Sequence, residues 1–206
     1  LSGETICVVD GLLNNATEDQ MKALCAGAAS TGSVGLVHLR GLTPEAPDTD
    51  TALGAQQPKE IILITKEMVI DARNNLSTSQ KDQIDCIALG SPHFSNNECR
   101  TLLSLAGKKR FKVPVYVCTG RHTMANLQQD GTDKDLKDLG VTFVIDTCVV
   151  VTPILPKKPG VLMTNSAKFA HYAAGNTGYA PVFGSLTDCV KSAQTGKLIW
   201  DSSVWG

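Results

Sequence analysis

Short β-prone runs alternate with longer helical stretches along almost the whole chain, and this alternation is what most restricts its fold. ETICVVDG (4–11), VGLVHL (34–39), EIILIT (60–65), IDCIALG (84–90), VPVYVCTG (113–120), VTFVID (141–146), GVLMT (160–164) and APVFG (180–184) read as strands. CVVVTPIL, which follows the sixth of these, also reads as extended. Between them lie helical patterns over 17–30, 66–76, 96–107, 121–129, 134–140, 166–175 and 185–196. Several carry their own start and stop signals. Thr17 with Gln20 forms a capping-box pattern, Ser166 and Ser185 stand at cap positions, and Gly140 and Gly196 sit where helices end. Strands separated by helices build βαβ units. The expected class is therefore α/β, with mainly parallel sheets flanked by helices.

Residues 41–59 are rich in Pro, Thr, Asp and Gly and read as a surface loop. LIWDSSVWG, at the end, reads as the start of a linker or an edge segment. A polar break at NNLSTSQKDQ suggests two α/β units, 1–80 and 81–206. The chain has 206 residues, 42% of them hydrophobic and 19% charged, which is enough for a real core. A net charge of -1 leaves no basic footprint for nucleic acid or anionic membrane, and no apolar run reaches spanning length. The opening LSGETICVVDG runs almost directly into a strand, so further residues are expected upstream. Cysteines at 7, 25, 86, 99, 118, 148 and 189 include no CxxC pair, which argues against a disulfide framework or a self-contained zinc site. A reducing, cytoplasmic setting is expected.

Polar groups gather just after three of the strands. The clusters are residues 90–95 (GSPHFS), 119–122 (TGRH), and Asp146-Thr147-Cys148 joined by Thr164, Asn165 and Ser166. In an open α/β sheet the carboxyl ends of parallel strands form the ligand-binding edge, so these clusters should converge. His93 is a general acid or ligand contact, or a turn histidine satisfied by backbone. Arg121 is a carboxylate clamp or a solvated charge at a helix start. Lys168 and His171 share a helix face that either meets a ligand or faces water. Ser166 is a cap or a ligand contact. Cys7, Cys25, Cys86 and Cys118 lie in apolar stretches and read as small buried hydrophobes, as do Cys99 and Cys189. Cys148 differs because its immediate flank is polar, which suits a metal thiolate or a nucleophile.

Taken together, GSPHFS (90–95), DTC (146–148), VLMTNSAKFAHYAAG (161–175) and FGSLTDCV (183–190), with ITKEMVIDAR (64–73), resemble the aconitase X family. The resemblance covers nearly the whole chain and corresponds to the C-terminal half of that family's large region. It implies aconitase-like three-layer α/β units. It also implies a hydro-lyase that eliminates water from a small hydroxy acid, with an iron–sulfur cluster (2Fe-2S or 4Fe-4S) as Lewis acid. The substrates it suggests are cis-3-hydroxy-L-proline and, alternatively, 5-phosphomevalonate. Cys148 would be a cluster ligand, the remaining ligands being shared with residues outside this chain. Ser91, His93, Arg121, Thr164, Asn165, Ser166 and Lys168 would contact substrate. Ser91 stands where some relatives are expected to carry cysteine, which favours the hydroxyproline reading. The resemblance further implies two partners outside the chain: an N-terminal half and a small swivelling domain. Two other readings of the residues stay open. One is a non-catalytic α/β binding or scaffold domain, and the other a cysteine-nucleophile enzyme built on Cys148 and a histidine.

Overall fold

The computed structural model describes residues 6–79, 81–157 and 159–205. Two compact units divide the chain, one ending at Met68 and the other starting at Val69.

In the first unit, β1 (Cys7–Val9) and β2 (Val37–Leu39) pair in parallel around α1 (Glu18–Gly32). Positions 4 and 5 of the expected first strand lie outside the described residues. The capping box at the start of α1 forms as the sequence suggests. Thr17 Oγ1 accepts from Gln20 N at 3.2 Å, and Gln20 Oε1 accepts from Thr17 N at 2.9 Å. The expected loop at 41–59 contains a short helix, α2 (Thr49–Ala52), capped by Asp48. EIILIT at 60–65 is not a strand. It has no regular structure, because among the described residues no strand pairs with its backbone. The chain passes into the second unit along α3 (Lys66–Asn75).

The second unit holds a five-stranded sheet with every pairing parallel, in the order β5-β4-β3-β6-β7. Its elements are β3 (Cys86–Phe94), α4 (Asn96–Ala106), β4 (Val115–Thr119), α5 (Arg121–Asp130), α6 (Thr132–Leu139), β5 (Val141–Ile145), β6 (Val161–Thr164), α7 (Ala167–Thr177), β7 (Ala180–Phe183), α8 (Leu186–Thr195) and α9 (Ser202–Trp205). The chain winds outward through β3, β4 and β5, then returns to lay β6 against the other side of β3. The winding therefore reverses between β3 and β6, which in such sheets opens a crevice at the carboxyl ends.

Side-chain alternation along the strands divides the core into two layers. Ile87, Leu89, Val115, Val117 and Met163 face Leu102 of α4, Leu127 of α5, Leu136 of α6 and Val190 of α8. Cys86, Ala88, Cys118 and Leu162 face the other way, toward Phe169 and Ala173 of α7 and toward Val149 and Val150. Complete burial of a side chain such as Phe169 or Leu162 contributes roughly 1.5–3 kcal/mol. CVVVTPIL, expected to be extended, instead forms turns that cover α7's side of the sheet. The amides of Val151 and Thr152 both donate to the Cys148 carbonyl, at 3.1 and 3.0 Å, and this closes the segment on itself. At the far end, the buried carboxylate of Asp188 caps α8 and accepts from Asp201 N and Trp205 Nε1, at 2.6 and 2.7 Å. These bonds anchor the terminal segment read from sequence as a linker or edge.

One glycine sets the shape of the sheet's central edge. The pairings Leu89↔Val117 and Phe94↔Thr119 leave residues 90–93 opposite Cys118 alone. Gly90 begins this bulge with φ +85°, and a β-carbon there would collide with the Cys118 carbonyl. Gly90→Ala should therefore lower stability by about 2–4 kcal/mol, read as a drop in the urea midpoint. Gly175→Ala, within α7 and facing open space, should leave the midpoint unchanged or raise it by about 0.5–1 kcal/mol.

Candidate active site at the sheet switch point

The bulge at residues 90–93 turns Ser91 and His93 out of the sheet. It is secured from two sides. Thr119 Oγ1 donates to the Phe94 carbonyl at 2.7 Å, and Ser166 Oγ donates to the Ser91 carbonyl. The second bond joins the ends of β3 and β6 across the switch point. Ser166 Oγ also accepts from Phe169 N at 3.0 Å as the cap of α7.

The end of β5 contributes the next wall. Asp146 adopts φ +58° and donates its amide to Thr119 O at 2.9 Å, which ties β5 to the end of β4. Its carboxylate accepts from Arg121 N at 2.9 Å and from Arg121 Nε at 2.6 Å. The Arg121 amide bond is the main influence holding the Asp146 carboxyl below the usual carboxylate range. Burial opposes it and the Arg121 side chain reinforces it. His93 Nε2 lies 3.1 Å from the Thr147 carbonyl, which can only accept, so Nε2 carries the proton.

These pieces enclose a cleft of about 490 Å³. Ser91 and His93 come from β3, and Asp146, Thr147, Cys148, Val150 and Val151 from the segment after β5. Lys168, Tyr172 and Asn176, each one turn further along α7, form the facing wall. An adjoining cleft of about 470 Å³ shares Val150, Val151 and Asn176 and adds Lys157.

Cys148 is the most perturbed group in the cleft. The buried Cys118 thiol donates to its sulfur, and this is the largest influence bringing the Cys148 thiol down to about 6 from an ordinary value of 9.0. Burial works against the shift, while the Ser91 hydroxyl, the Val150 amide and the charge of His93 add to it. Cys118 is driven strongly the other way, chiefly by its bond to Cys148 and then by burial. The two thiols are pushed in opposite directions, so Cys148 is the one of the pair that ionises first.

The residues picked out from sequence fall into two groups. Ser91, His93, Cys148 and Lys168 meet in the cleft. Thr164 is fully buried and its hydroxyl accepts from Ser166 N at 3.2 Å, so Thr164 and Ser166 direct their hydroxyls into the protein. Asn165 lies half-buried between them. Arg121 is exposed beside the cleft, held by Asp146. Sequence reasoning missed Cys118, Asn176 and the valine wall. The signal for Tyr172 and Asn176 was available as the Lys168, Tyr172, Asn176 spacing. Cys118 gave no signal, because its apolar neighbours conceal a contact made across two strand ends.

The fold and cleft define an α/β unit of the doubly wound kind, with a thiolate, an imidazole and an ammonium gathered at the switch point of a parallel sheet. Family models sharpen this: the aconitase X third domain matches residues 84–195 and the aconitase X second domain matches residues 1–74. The chain belongs to the aconitase X family. It is 36% identical to the cis-3-hydroxy-L-proline dehydratase of Pseudomonas aeruginosa, over 93% of this chain and 34% of that protein. The Hypocrea jecorina protein of the same name is 38% identical, over 95% and 34%. The phosphomevalonate dehydratase large subunit of Methanothermobacter thermautotrophicus is 32% identical, over 84% and 42%. The chain thus spans about a third of the length of the two cis-3-hydroxy-L-proline dehydratases. The crystal structure of Thermococcus kodakaraensis aconitase X in its holo-form superposes with a TM-score of 0.73 at 25% identity, covering 91% of this chain and 54% of that one.

The lowered Cys148 thiol can be tested directly. In metal-free protein, the rate of Cys148 alkylation by iodoacetamide should rise with pH around a midpoint near 6 instead of 9. Cys118→Ala should move that midpoint upward. Folding lets the pair release a proton at about 6 that the unfolded chain holds to about 9, so this contribution to stability grows as pH rises between those values.

Proposed function

We propose that this chain is the second-domain and third-domain part of a hydro-lyase that eliminates water from a small hydroxy acid, with cis-3-hydroxy-L-proline as its substrate. The observation that carries this reading is the meeting of the Cys148 thiolate and the Lys168 ammonium in one cleft at the switch point. Support comes from the names and the 36–38% identities of the two cis-3-hydroxy-L-proline dehydratases.

The residues fit an iron–sulfur cluster as a partial site. No group of three or more metal-ligating side chains occurs among the described residues, yet Cys148 offers a thiolate facing the cleft. Cys148 would be one ligand, and the others would come from the rest of the protein. When bound, such a cluster supplies a Lewis-acidic iron that stabilises the charge developing on a departing hydroxyl. This chain's own residues bind and orient. Lys168 has no ion-pair partner among the described residues and suits the substrate carboxylate. Val150, Val151 and Tyr172 give an apolar wall for a small ring, and His93, with Nε2 held on the Thr147 carbonyl, borders the leaving group. Bonds from Cys118, Ser91 and the Val150 amide keep Cys148 ionised and fixed in direction. The N-terminal half and the small swivelling domain complete the enzyme. A reducing compartment such as the cytoplasm suits seven cysteines that form no disulfide.

One observation favours the second substrate. Lys157 in the adjoining cleft offers another cation, as a phosphate-bearing acid such as 5-phosphomevalonate would need.

The complete protein, purified without oxygen, should dehydrate cis-3-hydroxy-L-proline and leave 5-phosphomevalonate unchanged. Cys148→Ala should remove the iron and cut kcat/KM by at least about 1,000-fold. Lys168→Ala should act mainly on KM, raising it roughly 10–100-fold. An iron-free protein whose turnover survives Cys148→Ala would refute the cluster role. Hydroxyproline binding without turnover by the complete protein would support a binding domain instead.

A further inference from the structure

Within the first unit, the described residues leave the apolar run at 60–65 uncovered. Ile61 and Leu63 are 84% and 82% exposed, and Ile62 and Ile64 are 49% and 65% exposed. No backbone hydrogen bond joins residues 61–64 to any described residue. The sequence EIILIT nonetheless has the composition of a strand: β-branched and apolar, without glycine or proline. Exposure is highest at alternate positions, as for one face of a strand awaiting cover. A segment of this kind left open in water is a template for unwanted pairing.

The unit that carries it is itself underbuilt. Its sheet has two strands, a size that is marginal alone, and the fifteen residues of α1 include none that is buried. Its buried apolar side chains among the described residues are Val34, Leu39 and Ala46. The missing cover has a specific source. Residues 1–74 match the family's second domain, and a second domain implies a first. The P. aeruginosa relative, of which this chain matches 34%, has room for such a domain in the rest of its one polypeptide. A covalently attached domain acts at an effective concentration of millimolar order, well above that of a second copy.

We infer that residues 60–65 form the docking strand for the first domain of the complete protein, which pairs with their backbone and covers Ile61 and Leu63. A free apolar loop becomes a buried strand when that domain is present, and the two-stranded sheet gains the cover it lacks. Domain packing is at issue here, so the result does not depend on which substrate is used.

Hydrogen exchange read by mass spectrometry on the complete protein provides the test. Amides of residues 61–64 should exchange at least about 100-fold more slowly than an unstructured peptide, equally at two protein concentrations tenfold apart. A photo-crosslinking p-benzoyl-phenylalanine at position 61 should attach to the first domain. Leu63→Asp should reduce the protection at least about tenfold, and Leu63→Ala gives the same reading in a milder form should the aspartate variant not fold. Unprotected amides, protection that vanishes on dilution, or crosslinks to a second copy or to another domain would overturn the inference.

Discussion

The close approach of Gly90 to the Cys118 carbonyl is the contact on which the site depends. Only a residue without a β-carbon can turn there with φ +85°, and that turn pushes residues 90–93 out of register with β4. Ser91 and His93 then face the cleft. Their backbone is fixed by Ser166 from β6 and by Thr119 from β4. The pairing of β4 with β5, Cys118 opposite Val144, separately sets Cys118 beside the segment that carries Cys148. A steric requirement at one glycine thus places Ser91 and His93, through strand register, where both help to lower the Cys148 thiol.

The electrostatics of the cleft follow from how few charges remain uncommitted. Arg121 and Asp146 satisfy one another at the rim, and Lys137 and Arg100 pair with aspartates on the far layer of helices. At the cleft itself Lys168 and Cys148 line one space with Val150 and Val151, and low polarity strengthens the pull of each on a bound anion or metal. Exposed pairs such as Arg100 with Asp130 contribute little to stability, so the core layers on either side of the sheet carry that burden.

Much of this architecture could be read in the residues. Strand–helix alternation foretold the parallel sheet, and Thr17 with Gln20, Ser166 and Ser185 marked helix starts that the structure shows as capped. Local signals succeeded wherever the deciding interaction is local. They failed where it is not. EIILIT has strand composition, yet strand formation requires a partner's backbone, which composition cannot supply. CVVVTPIL is similarly β-branched but carries Pro153, and it closes on the Cys148 carbonyl as a turn. Thr164 and Ser166 stood out as polar residues after a strand, and their hydroxyls prove to be committed to the fold. Cys118, an inconspicuous residue in an apolar strand, is the group that tunes the site, because its decisive neighbour lies thirty positions away in the chain.

The most direct test is a crystal structure of the complete protein with pyrrole-2-carboxylate, a planar analogue of the proposed dehydration product. The analogue should lie in the cleft between β3, the turn after β5 and α7, with its carboxylate on Lys168 Nζ and an iron–sulfur cluster bound through Cys148 Sγ. An analogue bound elsewhere, or a cluster held without Cys148, would contradict this assignment.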